Sequence, residues 1–427
     1  MKIISLSRYN VITKLITNHN SPLIKNLRDI WLVLSIEVRR VFSDSTVLLI
    51  FFIAPIIYPL LFCGFYHNES VENMSVAVVD ENPCEESKRF IHKIDATPEL
   101  SVNYKCGNVE EARNLMRDHY VRAVFYFPKD FSTNLATLHT GHVVVYGDMS
   151  SFYYFKAALT GGNSVLIDEL HTIELQRYED AGLTNQEATI QMQPVVFEST
   201  TLYNPTGGYG SFLLPCLMIL VLHQTLFLGI CILSGDANEN RYALRLIPPH
   251  LRKRSVHRVI YGRSLCYVLI YVPLTILDLW FIPRWFHLPQ LGNLYTILEF
   301  ALPFVLAVVF FSMTIGTFVR QKISPMLCFV FFSLILFFIS GMVWPQQSMP
   351  RLIYLFSLLF PSTPGVQGYV KIASMGANLE IVRTEYMTLW FQAGFYLVTA
   401  SLSTYYRNFL RLRLVKKFHL SRQTGIL

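Results

Sequence analysis

The chain has 427 residues, of which 52% are hydrophobic and only 15% charged, with a formal net charge of +7 and a mean hydropathy of +0.37. Soluble domains carry about 25% charged residues; here long stretches carry none, which argues against a soluble globular protein and for a membrane protein. The basic excess implies no nucleic acid, because it collects beside the apolar runs, where anionic lipid headgroups and partner proteins are met.

In chain order, residues 1–45 form a basic N-terminal segment. The first residues lack the apolar core and small-residue cleavage site of a signal peptide. Ile30, Leu34, Val38, Val41 and Phe42 share one helical face, with Glu37, Arg39 and Arg40 off it. That pattern predicts an amphipathic elbow helix lying in the membrane interface, the alternative being a plain extension of the first span. Ser43-Asp44-Ser45 supplies a break and a cap. A first span follows over 46–66, free of charge from 47 onward; a crossing helix needs about 20 largely apolar residues.

Residues 67–210 differ in kind, with 20 Asp and Glu against 10 Lys and Arg. The run 74–80 reads as a strand ending in a turn at Asp80, 85–94 has helical spacing, 121–127 and 143–146 read as further strands, and 152–178 as a long helix. Alternation of the two types predicts a small α/β domain. Cys84 and Cys106 are the two cysteines in polar surroundings; a disulfide and two free thiols both remain open. Cys63, Cys216, Cys231, Cys266 and Cys328 lie in apolar runs as small buried residues. His171 with Asp168 and Glu169 has helical spacing, read as a solvated helix face rather than a metal site.

Residues 211–406 hold the remaining spans: 211–233 with His223 as its titratable group, 264–283 with Asp278, 294–319 with Glu299, and the uncharged 323–343 and 386–406. Asp278 and Glu299 fall near span ends, where they pair with Arg284 or reach water. The apolar stretch 351–361 is too short to cross and reads as re-entrant within an outer region 344–383. Lys and Arg concentrate in 1–45, in the loop 234–263, at Arg320 and Lys322, and in the tail 407–427, all on one side if six spans alternate. Both termini are then cytoplasmic and 67–210 lies outside. The expected fold is therefore an α-helical membrane protein of six transmembrane helices with an N-terminal elbow helix, plus a small α/β extracytoplasmic domain between the first two spans.

No phosphate-binding loop of the type GxxxxGK[ST], nucleophile arrangement or Cys/His cluster occurs. Leu233-Ser234-Gly235-Asp236 echoes an ATPase signature by chance. Buried polar groups are the better candidates, because burying them in lipid is costly. His223, Gln224 and Thr225 occupy the middle of the second span, facing either a transport path or a neighbouring helix.

Several patches together resemble the permeases of ABC-2 type exporters, in particular a bacterial drug-exporter branch with a large outer domain. They are Glu37-Val38-Arg39-Arg40-Val41-Phe42-Ser43-Asp44 with Ala54-Pro55 and Leu61-Phe62-Cys63-Gly64; Val76-Ala77-Val78-Val79-Asp80; and Arg122 to Phe131 with its Pro128-Lys129-Asp130. The others are Tyr203-Asn204-Pro205 with Phe212 and Pro215, and Ser340-Gly341-Met342-Val343-Trp344-Pro345 with Ser348-Met349-Pro350 and Phe360-Pro361-Ser362-Thr363-Pro364.

The resemblance implies a type-V-like half-exporter in the bacterial inner membrane. Two such subunits, identical or similar, would pair with two cytoplasmic ABC ATPase subunits that hold ATP and Mg, this chain having no cofactor of its own. It implies that the loop 234–263 docks the ATPase through Glu239, Asn240 and Arg241, the family's following Gly-Thr being absent, with Arg252, Lys253 and Arg254 contacting partner or lipid. It also implies a path at the dimer axis lined from spans two and five, by His223, Gln224, Thr225 and Phe332. An amphipathic or hydrophobic substrate would leave by alternating access, with a periplasmic adaptor and outer-membrane channel as further partners. The rival reading is a membrane scaffold or receptor that displays the outer domain.

Overall fold

The computed structural model describes residues 22–66, 71–137, 139–192, 202–204, 207–243, 246–248, 250–251 and 255–423, with backbone alone at 22–23, 330 and 411–423. The chain divides into two compact units, Asn68–Tyr209 and the flanking Met1–His67 with Gly210–Leu427.

The flanking unit is helical. It opens with α1 (Pro22–Ser43) and α2 (Ser45–Phe65). Asp44 separates the two, its carboxylate accepting from Thr46 N at 3.0 Å and Val47 N at 3.4 Å. These bonds satisfy donors that the start of a helix leaves orphaned. The apolar face of α1 departs from the simple periodic reading. Val33, Leu34 and Val41 are buried, but so is Glu37, while Phe42 points outward. The carboxylate is drawn inward, where Arg40 of the same helix and Arg263 and Tyr267 of a later one meet it.

After the inserted unit come α8 (Tyr209–Glu239), α9 (Val256–Trp285), α10 (Leu294–Gly316), α11 (Ser324–Ile339), α12 (Arg351–Ser357), α13 (Ser362–Met375) and α14 (Arg383–Gln423). Among the described residues, α2, α8, α9 and α10 are long and apolar enough to cross a membrane. The fifth and sixth expected spans fall on α11, which has 16 residues, and on α14, whose 41 residues include Thr388, Gln392, Thr399 and Ser401 in the apolar part. In the central window of α8, 83% of residues are buried, against 33% for α2; α8 is thus the axis around which the others pack.

Lipid removes the hydrophobic drive between helices, so close packing and polar contacts hold such bundles together. Glycine marks the crossings. A Cβ on Gly229 of α8 would overlap the Phe51 ring of α2, and one on Gly262 of α9 would sit 2.7 Å from Val33 of α1. α2 and α9 each contain a π-turn, Leu49–Ile53 and Leu277–Phe281, and each turn is followed by a proline, Pro55 or Pro283. Proline cannot donate and clashes with the carbonyl one turn back, and a locally widened turn relieves that clash. In α9 the freed Leu279 carbonyl accepts from Tyr369 OH of α13 at 2.6 Å and from Gln290 Nε2 at 2.5 Å.

The inserted unit is α/β. Its elements are β1 (Met74–Asp80), α3 (Glu85–Asp95), β2 (Leu100–Cys106), α4 (Val109–Arg117), β3 (Ala123–Phe127), α5 (Phe131–Ala136), β4 (Val144–Gly147), α6 (Phe152–Asp180) and α7 (Asn185–Met192). The sheet order is β2-β1-β3-β4, parallel except for β4. Successive β1 residues alternate between two cores: Met74, Val76 and Val78 pack with Phe90, Phe125 and Val165, and Ala77 and Val79 with Ala112 and Val124. Such double-sided burial is what parallel strands require. β2, α4, α5 and α7 are additional to the elements read from sequence.

Cys84 and Cys106 are free thiols. Cys84 sits at the start of α3, its Sγ accepting from Ser87 N at 3.3 Å, and packs against one core while Cys106 packs in the other, across the sheet. The α6 face expected to be solvated is not fully so. Glu169 is buried and pairs with Arg89 at 2.9 Å and Lys93 at 2.7 Å, while Asp168 meets Lys93 at 2.6 Å. No metal-binding group occurs among the described residues. Of the cysteines in apolar runs, Cys63, Cys216, Cys231 and Cys266 are buried and Cys328 lies on the outward face of α11.

Candidate functional site

Three ion-pair groups tie α1 and its following cap to the loop after α8, to the start of α9 and to the turn between α10 and α11. The first centres on Glu37, which is 2% exposed. Arg40 Nη1 lies 2.9 Å from both its oxygens, Tyr267 OH donates at 2.5 Å, and Arg263 Nε stands 3.4 Å away. Burial alone would raise the carboxyl, but Arg40 and Arg263 with the Tyr267 hydrogen bond outweigh it and push its pKa down to about 2. Arg40 Nη2 reaches on to the Leu233 carbonyl of α8 at 2.7 Å, and its guanidinium lies over the Tyr242 ring. Tyr242 in turn donates to Asp236. One glutamate thus connects α1, α8, α9 and the loop between the latter two.

The second group centres on Asp29, also 2% exposed, which accepts from Arg258 Nη1 at 2.9 Å and lies 3.1 Å from His250 Nε2. The third joins the cap to the turn between α10 and α11. Asp44 pairs with Lys322 Nζ at 2.5 Å, and Lys322 N donates to Glu239 Oε2 at 2.8 Å. Burial raises the Asp44 carboxyl, yet Lys322 and the two backbone donors outweigh this and hold it below its ordinary value. Asn238 Nδ2 donates to Val319 O of the same turn at 2.5 Å. The 234–263 loop is therefore connected to α1 and to the α10–α11 turn through directional, charge-assisted contacts.

The residues expected to dock a partner lie along this loop. Glu239 is engaged with Lys322, and Asn240 Nδ2 donates to Asp236 at 2.8 Å. Arg241 is exposed in a left-handed conformation with φ 55°. It reverses the chain, so that Ala243 N closes on Ala237 O at 3.1 Å. Arg252, Lys253 and Arg254 lie outside the described residues.

The residues expected along a path do not come together within one chain. His223 is 1% exposed and lies between the Phe227 and Phe311 rings, and Thr225 donates to its own helix at Val221 O. Gln224 is half-buried, while Phe332 stands on the outward face of α11. Asp278 neither pairs with Arg284 nor reaches water. It is fully buried, neither of its oxygens has a hydrogen-bond partner among the described residues, and Arg284 stacks on Trp280 instead. Glu299 is exposed.

Sequence periodicity missed the Glu37 cluster because it treated the residue as off-face. The i,i+3 pair Glu37 and Arg40, with Arg258 and Arg263 at the foot of the next basic span, was the available signal.

Among curated proteins none matches the chain. Residues 46–402 match the model of a family described as ABC-2 family transporter protein. With its apolar helices and the conducting role of that family, this multi-pass membrane chain belongs to the ABC-2 family, as the permease component that works with an ABC ATPase subunit.

Proposed function

We propose that the chain is the six-span half of a type-V-like drug exporter, with α1 as an interfacial elbow helix, α11 and α14 as the fifth and sixth spans, and the α/β unit outside the cytoplasm. Both termini would be cytoplasmic and the membrane the bacterial inner membrane. Two permease subunits would combine with two ATPase subunits, and the substrate would be amphipathic or hydrophobic. The observation that carries this reading is the connection of the 234–263 loop to α1 by ion pairs and to the α10–α11 turn by the Glu239 hydrogen bond. A partner that moves the loop on binding ATP moves the foot of several helices together, which is the mechanical requirement of alternating access.

Glu239, Asn240 and Arg241 are the proposed coupling residues, with Arg252, Lys253 and Arg254 as partner or lipid contacts. The burial of His223 and Thr225 favours a packing role for them within one subunit, leaving Gln224 and Phe332 as the path-facing candidates. Co-expression with candidate ATPase subunits, purification into lipid and measurement of ATPase activity test the proposal. Co-purification, with uncoupling by Glu239→Ala, is expected. Failure of any ATPase to bind would move the reading to a membrane scaffold that displays the α/β unit.

A further inference from the structure

A cavity of about 60 Å³ lies where α1, α8, α9, α10 and α14 meet. Its walls include Arg40, Arg263, Tyr267, Thr404, Arg407 and Asn408. Three guanidinium groups face it against one carboxylate, that of Glu37, which already serves two of them. The nearby Asp236 is occupied by Asn240 and Tyr242. Arg407 makes no ion pair among the described residues, and the charge close enough to act on it is Arg320, of the same sign.

The unpaired atoms are all donors. Arg40 Nε, Arg407 Nη1 and Asn408 Nδ2 are buried without an acceptor among the described residues, Arg263 Nε faces the Glu37 carboxylate at 3.4 Å without hydrogen-bond geometry, and Asn408 is 3% exposed. Buried donors without acceptors are rare, because each costs desolvation with no return, and here they belong to three partly buried groups of like charge around one small void. The two shortages, of acceptors and of negative charge, are both met by one anion. A void of this size exceeds what a single water needs, about 10–15 Å³. The guanidinium fork suits oxygens set on one centre.

We infer that this cavity binds a phosphoryl group, held by Arg40, Arg263, Arg407 and Asn408, and that its occupancy neutralises the foot of α14 against α1. The same chemistry is offered by free phosphate and by the headgroup of an anionic lipid.

The test uses the full chain in alkyl maltoside micelles, which carry no phosphoryl group, with the thermal unfolding midpoint followed by intrinsic fluorescence. In one arm inorganic phosphate is titrated at constant ionic strength against chloride; in the other, phosphatidylglycerol is added to the micelles without phosphate. A midpoint that rises with phosphate supports the site and identifies the free anion. A rise with phosphatidylglycerol alone supports it and identifies the headgroup. Arg407→Gln is expected to weaken the effective ligand by about tenfold or more, the worth of a charged hydrogen bond, and to raise the unliganded midpoint by removing an uncompensated charge. Arg407→Lys, which keeps the charge, should retain part of the response. A wild-type midpoint indifferent to both ligands overturns the inference, as does an Arg407→Gln chain that keeps the full response.

Discussion

Replacement of Glu37 by Gln tests whether the cluster at the foot of the bundle holds α1 in place. Gln keeps the shape but removes the charge that two arginines and a tyrosine share. The carboxyl falls from 4.5 to about 2, and at about 1.4 kcal/mol per pH unit this corresponds to roughly 3 kcal/mol of stabilisation. Stripping one partner from a buried ion pair costs about 3–5 kcal/mol, so a loss on the order of 3 kcal/mol is expected. Since the folded value lies below the unfolded one, the stabilisation is complete above pH 4.5 and is lost as pH falls toward 2. Thermal unfolding of the purified chain in lipid should therefore show a large deficit for Glu37→Gln at pH 7, which narrows on acidification below pH 4.5. Removing Arg40 should cost less in the Glu37→Gln background than in wild type, because the two act as a unit. Equal midpoints at pH 7, or a deficit unchanged by acid, would refute the account.

Other substitutions probe separate features. Asp278→Leu should stabilise the fold by about 1–3 kcal/mol, seen as a raised unfolding midpoint, because it removes a buried carboxyl without partners among the described residues; a lowered midpoint would refute this. Gly262→Leu should be strongly destabilising, since its Cβ would already sit 2.7 Å from Val33, and overpacking alone costs about 1–3 kcal/mol. Arg241→Gly should stabilise by about 1 kcal/mol through relief of the left-handed conformation, measured by the same unfolding assay. In the α/β unit, Cys84→Ser should leave stability nearly unchanged by keeping a cap, Cys84→Ala should lower it by about 1 kcal/mol, and a reductant should not shift the wild-type midpoint because the thiols are free.

Long uninterrupted apolar runs such as those of α2, α8 and α10 are legible because lipid demands them over a fixed length. The strand β1 is legible for a related reason, being buried on both faces. β2 was equally available: Leu100-Ser101-Val102-Asn103-Tyr104-Lys105-Cys106 alternates apolar and polar residues, the ordinary signal of a half-buried strand, and it escaped because its polar positions match the acidic, polar composition around it. α13 escaped because Ser362-Thr363-Pro364-Gly365 and Gly368 read as a loop, whereas the small residues allow the helix to press on Phe300 and Phe304. Glu37 was misplaced for the reason that ion clusters usually are: periodicity ranks a residue by its own polarity, and its partners Arg263 and Tyr267 are more than two hundred positions away.

The π-turn in α9 shifts the helical phase. One inserted residue rotates everything beyond it by about 100°, so a single helix presents one azimuth to α1 below the turn and another to α13 above it. Tyr369 and Gln290 lock that phase by capturing the Leu279 carbonyl. Deleting one residue within Leu277–Phe281 would restore a regular helix and swing Pro283 and Trp285 out of step with α13, while leaving the contacts of Arg258 and Arg263 in place. The two ends of α9 can thus be tuned separately, which gives one span the character of a crankshaft rather than a rod.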